Sequence, residues 1–162
     1  MRCSIDHPIL SDISNNKKSP KKWIFRQAGK LRKGDFVGLA NSIDYWGNDV
    51  LDDAYKIGST INKNAKKLPD NLFSLDRNSV CELIAGLFDD CGKIFVDTKT
   101  DKIVLTFMMH NYYTIRKIKI LLHKLGIFSY IKSWKNNNKL RIYDYNSVIE
   151  FYNDIHLRTE DK

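Results

Sequence analysis

The sequence predicts an α+β fold in which a four-stranded antiparallel sheet carries helices over one face. Three observations lead there. Residues 103–109 alternate, with Ile103, Leu105, Phe107 and Met109 on one side and Val104, Thr106 and Met108 on the other, the period-two pattern of a strand. Ile115, Ile118, Leu121, Leu122 and Leu125 follow the three-four spacing of an amphipathic helix. Between residues 77 and 157 such segments succeed one another in the order α-β-β-α-β-β-α, and polar turns separate the strands of each pair.

The elements follow in chain order. Residues 1–50 read as a small β-rich segment too short to bury a core alone. Ser4-Ile5-Asp6-His7-Pro8-Ile9-Leu10 opens it, a polar basic loop runs from Ser11 to Lys22, and Trp23-Ile24-Phe25 follows. Gly34-Asp35 then reads as a turn leading into a strand at Phe36-Val37-Gly38-Leu39. Residues 51–76 form a connecting region, with a short helix over Val50 to Ile61 whose first turn holds Asp52 and Asp53, favourable near the positive helix end. A basic loop through Lys67 and Pro69 leads on to the main fold, 77–162.

Asp76 or Asn78 is the expected N-cap of the first helix of that fold. Its apolar run, Leu83, Ile84, Leu87 and Phe88, encloses Ala85 and Gly86. A glycine within a helix costs about 1 kcal/mol against alanine, so the small pair predicts a face that another helix approaches closely. The run ends in Asp89-Asp90-Cys91-Gly92, with Gly92 a candidate left-handed stop. Lys93–Thr98 and Ile103–Met109 are the first two strands, joined by a polar turn. Asn111 or Thr114 begins the next helix and Gly126 ends it. Ile127–Lys135 and Lys139–Tyr145 form a second hairpin across Asn136-Asn137-Asn138, and Asn146 or Ser147 caps a last helix that turns Val148, Phe151, Tyr152 and Ile155 inward.

Composition narrows the function classes. The chain has 162 residues, 43% hydrophobic and 28% charged, which suits one medium domain or a small domain with an appendage. No run approaches the roughly 18 apolar residues of a membrane span. Asp6 and His7 interrupt any signal-peptide core, so an intracellular, non-secreted protein is expected. Cys3, Cys81 and Cys91 lack metal-ligand spacing and fit free thiols in a reducing compartment. The net charge is +8. Residues 1–50 hold nine basic and five acidic groups, 51–100 seven and eight, and 101–162 eleven and six; such a bias favours polyanion partners.

Leu83-Ile84-Ala85-Gly86-Leu87-Phe88-Asp89-Asp90-Cys91-Gly92 resembles the signature helix of LAGLIDADG homing endonucleases of the intein-embedded kind, and the elements after it match that family's repeat. The resemblance implies double-stranded DNA as partner, a sheet face lying in the major groove, and paired signature helices placing acids that bind divalent metal at the scissile phosphates. Mg2+ is the cofactor it implies for an active enzyme, and none otherwise. Aligned on Ala85-Gly86 and Gly92, the metal acid falls at Cys91, and a thiol is a poor magnesium ligand. Asp90, with Asp89, is then the candidate catalytic and metal-binding acid. Asp53 to Lys63 resembles the start of an earlier signature helix; setting Gly58 against Gly86 places Lys63 where its acid would stand, and the rest of that repeat has no room before Leu68. On the hairpins Lys99, Lys102, Lys132, Lys135, Lys139 and Arg141 are the candidate DNA contacts, with Tyr130, Trp134 and Tyr143 at alternate positions.

The N-terminal segment resembles part of an intein splicing (Hint) domain through Ser4-Ile5-Asp6-His7-Pro8, Trp23 and Leu31-Arg32-Lys33-Gly34-Asp35. The resemblance gives His7 the polarising role at the scissile peptide, with Ser4 assisting. An initiating residue with its strands and a terminal His-Asn are missing, so the chain alone is not expected to splice. The expected function is therefore a homing endonuclease-like DNA-binding protein with degenerate cleavage. Two alternatives stand beside it: an active homodimeric endonuclease, or a non-enzymatic splicing fragment that awaits complementary intein fragments or serves as a nucleic-acid adaptor.

Overall fold

A computed structural model of the chain describes residues 4–12, 22–38, 45–62, 67–134 and 137–159. The chain divides into two units, residues 1–40 and 41–162. The boundary lies ten residues earlier than the sequence suggested. Residues 45–50 belong to the second unit because Asp49 bridges Leu75 and Trp46 packs against that unit's core.

In the first unit, β1 (Pro8–Asp12) pairs antiparallel with β2 (Trp23–Gln27), Pro8 opposite Gln27 and Asp12 opposite Trp23. The loop between them, residues 13–21, lies outside the described residues. Gly34, at φ 103°, makes the expected turn, and the Asp35 carboxylate holds it by accepting from the Arg32 amide at 2.9 Å and from Arg26 at 3.3 Å. Over residues 36–38 the chain makes a bridge, Val37 to Ser11, in place of the expected strand, with Gly38 donating to the Leu10 carbonyl; Leu39 lies outside the described residues.

The second unit opens with α1 (Ala54–Ile61). Asp52 and Asp53 precede this helix and do not form its first turn. Asp53 is left-handed, at φ 55°, and a right-handed helix cannot run through such a residue. Its central helix is α2 (Arg77–Cys91), N-capped by Asp76, which accepts from the Ser79 amide at 2.8 Å. Every residue from Leu83 to Phe88 is buried. Gly92 does not end α2 with a left-handed turn: its φ is −85° and it begins β3 directly. Glycine is needed there for space, since a Cβ would lie 2.4 Å from the Phe88 ring.

The sheet is antiparallel throughout, in the order β3-β4-β6-β5. Its strands are β3 (Gly92–Asp97), β4 (Lys102–Met109), β5 (Tyr130–Trp134) and β6 (Asn137–Ile142). The second hairpin turns earlier than expected. Asn137 pairs with Trp134 and Asn138 with Ser133, so both asparagines belong to β6. Buried Asn138 also donates to the His110 carbonyl at 2.8 Å. β5 begins three residues late because the Phe128 amide donates to the Ser147 hydroxyl rather than to a neighbouring strand. α3 (Tyr112–Lys124) is capped by Asn111 and followed by left-handed Gly126. α4 (Tyr145–Asp154) is capped by Asp144, not by Asn146 or Ser147; the Asp144 carboxylate accepts from the Ser147 amide.

One core joins these layers. Leu105, Phe107 and Met109 of β4, with Leu140 and Ile142 of β6, meet the buried stripes of α2, α3 and α4. At its centre the Phe88 and Phe107 rings stand edge-to-face, with centroids 5.0 Å apart, and Phe151 lies 5.0 Å from Phe88. Ile94, Phe95 and Val96, expected as a strand core, are instead substantially exposed, because β3 is an edge strand.

Candidate nucleic-acid interface and cleavage centre

α1 lies on the small-residue face of α2 with the two backbones in contact. A Cβ at Gly86 would meet the Tyr55 carbonyl oxygen at 2.0 Å, and one at Gly58 the Leu83 carbonyl oxygen at 2.2 Å. Gly58 thus answers Gly86, as the two-helix resemblance implied. The consequence is steric: α1 fills the face through which two copies of α2 would have to meet, so a homodimer built on Gly86 is closed off.

The lower ends of the two helices receive the candidate acids, and the acids separate. Asp89 is tied into the helix pair. One of its carboxylate oxygens accepts from the Tyr55 hydroxyl at 2.7 Å and from the Arg158 amide at 2.9 Å. Arg158 then lays its guanidinium 4.1 Å from the centroid of the Tyr55 ring and pairs with Glu82. Burial, followed by the bond to Asp89, pushes the Tyr55 phenol above its ordinary pKa. A carboxylate held by two donors and enclosed by a ring and a strap of chain serves to clamp α1, α2 and the C-terminal segment.

Asp90 lines an open cleft between the helix ends and the sheet, together with Asn62, Cys91, Lys93, His110 and Lys139. Asn62 stands four residues beyond Gly58, as Asp90 stands four beyond Gly86, so the pair occupies matching places on the two helices. The donor set does not fit a magnesium pair. Magnesium takes hard oxygen ligands in near-octahedral order, whereas the cleft supplies one carboxylate beside the neutral amides of Asn62, Asn137 and Asn138, the His110 imidazole and a soft thiol. The Cys91 thiol is moreover turned back along the helix, donating to the Leu87 carbonyl at 3.3 Å. Among the described residues no three His, Cys, Asp or Glu side chains are placed to hold a metal ion. Lys63 lies outside the described residues.

The sheet face turned away from the helices follows from strand register. Lys93 pairs with Thr106, Thr106 with Arg141, and Arg141 with Tyr130; beside that row, Met108 pairs with Lys139 and Lys139 with Lys132. Lys102, at the hairpin end opposite Asp97, joins the same face. Among the described residues this face therefore carries five cations and one acid, Asp97. Of the sequence candidates, Lys102, Lys132, Lys139 and Arg141 come together here, and Lys99 sits on the exposed turn beyond β3. Lys135 and the Trp134 side chain lie outside the described residues. Lys93 was missed; its place two residues before Phe95, alternating with Ile94 and Val96, was the available signal. At the centre of the face Thr106 Oγ1 and Arg141 Nε are buried without a hydrogen-bond partner among the described residues, a cost of about 1–3 kcal/mol per group.

In the first unit Ser4 and His7 end one tight turn. The His7 amide donates to the Ser4 carbonyl at 3.1 Å, and the His7 carbonyl accepts from Ala28. Both side chains are exposed and no hydrogen bond joins them.

This arrangement of a small-faced helix pair over a basic antiparallel sheet agrees with the sequence comparisons. Residues 78–158 match the LAGLIDADG-like domain, and the chain belongs to that family. Members bind DNA and often dimerise, and the family's endonucleases are generally metal-dependent. The chain is also similar to the isomerizing glutamine–fructose-6-phosphate aminotransferase of Methanocaldococcus jannaschii, 29% identical over 154 residues. That alignment covers 87% of this chain and 13% of the aminotransferase, so the chain spans about an eighth of the curated relative it matches. No helix among the described residues is long and apolar enough to cross a membrane.

Proposed function

We propose that the chain is an intein-derived, homing endonuclease-like protein that grips duplex DNA with its sheet face and has lost most or all cleavage. The carrying observation is the register that gathers Lys93, Lys102, Lys132, Lys139 and Arg141 on the uncovered face, with Asp97 as the one acid there among the described residues. Phosphate contacts by such cations supply sequence-independent affinity, and base edges are read from the same groove. The loss of cleavage rests on the donor set at the helix ends, where Cys91 stands in the acid position and Asn62 answers Asp90. Similarity to 13% of a much longer enzyme fits an element inserted in a host protein better than a share in the host's own chemistry.

Incubation of the full chain with duplex DNA and Mg2+ tests this reading. Salt-sensitive binding without cutting is the expected result. Specific cleavage abolished by Asp90→Asn but retained in Cys91→Ala would overturn it.

A second reading is favoured by the Ser4–His7 turn beside the Asp35-held loop: that the first unit is a piece of a splicing domain. In it His7 polarises the scissile peptide and Ser4 assists. Co-expression with complementary intein fragments should then yield a ligated product that disappears in His7→Ala. Equal yield from His7→Ala excludes the role.

A further inference from the structure

From Lys102 to Tyr143 the chain carries nine Lys or Arg residues and not one Asp or Glu over forty-two positions. The fold divides these nine. Lys102, Lys132, Lys139 and Arg141 belong to the sheet, Arg116, Lys117, Lys119 and Lys124 belong to α3, and Lys135 lies outside the described residues. α3 buries Thr114, Ile115, Ile118, Leu121 and Leu122 against the helix-covered side of the sheet. Its four cations therefore stand on the opposite side of this unit from the proposed duplex face, and duplex binding at the sheet leaves them unexplained. None of the four is within ion-pair distance of an acid among the described residues.

Aromatic rings accompany these cations at both ends of the helix. Tyr113 is 76% exposed and stands edge-to-face with Tyr112, whose ring lies 5.9 Å from the Arg116 guanidinium carbon. At the other end Lys124 Nζ sits 4.3 Å from the centroid of the half-buried Trp46 ring. Exposed rings interleaved with uncompensated cations match a chain of phosphates carrying unstacked bases. A duplex hides the faces of its bases, so rings of this kind are used by single strands.

We propose that the outer face of α3 binds single-stranded nucleic acid, with Arg116, Lys117 and Lys119 on the phosphates and Tyr113 stacking on a base. This surface is separate from the one proposed for duplex DNA, and either can fail without the other.

The test compares the full chain and its variants on labelled oligothymidylate and on a labelled duplex of mixed sequence. Arg116→Glu/Lys117→Glu/Lys119→Glu should weaken oligothymidylate binding by roughly tenfold or more and duplex binding by less than about threefold. Tyr113→Ala should cost at least about fivefold on the single strand and nothing on the duplex. All four positions are exposed, and an unchanged helical circular dichroism signal verifies that the variants fold. Lys132→Ala/Lys139→Ala should reverse the selectivity. Three outcomes overturn the proposal: oligothymidylate affinity unchanged in the triple variant, equal losses on both probes, or a poly-glutamate peptide that competes as well as oligothymidylate, which would mark an acidic protein as the partner.

Discussion

Gly86→Ala sets two effects of opposite sign against each other. Alanine in a helix interior is favoured over glycine by about 1 kcal/mol, so local propensity alone predicts a more stable protein. The packing predicts the reverse. The new Cβ would lie 2.0 Å from the Tyr55 carbonyl oxygen, whereas ordinary contact begins at 3.4 Å, and the difference of 1.4 Å must come from moving one helix backbone against the other. Overpacking typically costs about 1–3 kcal/mol. Backbone is the obstacle here, not the end of a flexible side chain, which puts the cost at the top of that range and leaves a net loss of about 2 kcal/mol. Urea unfolding followed by helical circular dichroism reports on the second unit, which contains the four α-helices of the described residues. With a slope of roughly 2 kcal/mol per molar, the midpoint should fall by about 1 M. Gly58→Ala should behave alike, its Cβ meeting the Leu83 carbonyl oxygen at 2.2 Å. The double variant should lose less than the sum, because one displacement relieves both clashes. A midpoint that is unchanged or raised in Gly86→Ala would refute the close pairing of α1 on α2.

The two acids should part company in stability. Asp89→Ala leaves the Tyr55 hydroxyl and the Arg158 amide without their acceptor and should cost about 2–3 kcal/mol, while Asp90→Ala at the cleft should cost under about 1 kcal/mol; equal losses would dissolve the distinction drawn between clamp and cleft. Phe107→Ala removes the ring that Phe88 meets edge-on and should cost about 3–5 kcal/mol, measured in the same titration. Burial pushes the Cys81 thiol up to about 11, so Cys81 should resist thiol reagents at pH 8 in the native protein and react once unfolded. A thiol pKa raised by folding contributes stability that is complete below the ordinary thiol range of roughly 8.5 and is lost as pH climbs toward 11. Stability should therefore decline over that window, and less steeply in Cys81→Ala.

The sequence revealed the order of elements, because period and turn chemistry are local properties. Ile103–Met109 alternates as a strand must, and the α3 stripe recurs at helical spacing. What it hid was tertiary. Nothing local distinguishes Asp89 from Asp90; their roles divide only because Tyr55, 34 residues away, and Arg158, 69 residues away, reach one of them. The late start of β5 likewise depends on a serine 19 residues further on. Gly92 looked like a helix stop by its position, yet what it answers is the Phe88 ring. The substitution at the candidate cleavage centre was legible directly, since Cys91 against the signature pattern is a matter of residue identity. The turning of its thiol toward Leu87 was not.

The central claim is that the uncovered sheet face holds duplex DNA. The dependence of duplex affinity on salt tests it most directly, because each phosphate contact contributes roughly 0.9 to the slope of log affinity against log salt. Lys132→Ala/Lys139→Ala/Arg141→Ala should reduce the magnitude of that slope by about 2–3 relative to the unmodified chain. The same slope in both proteins would contradict the account.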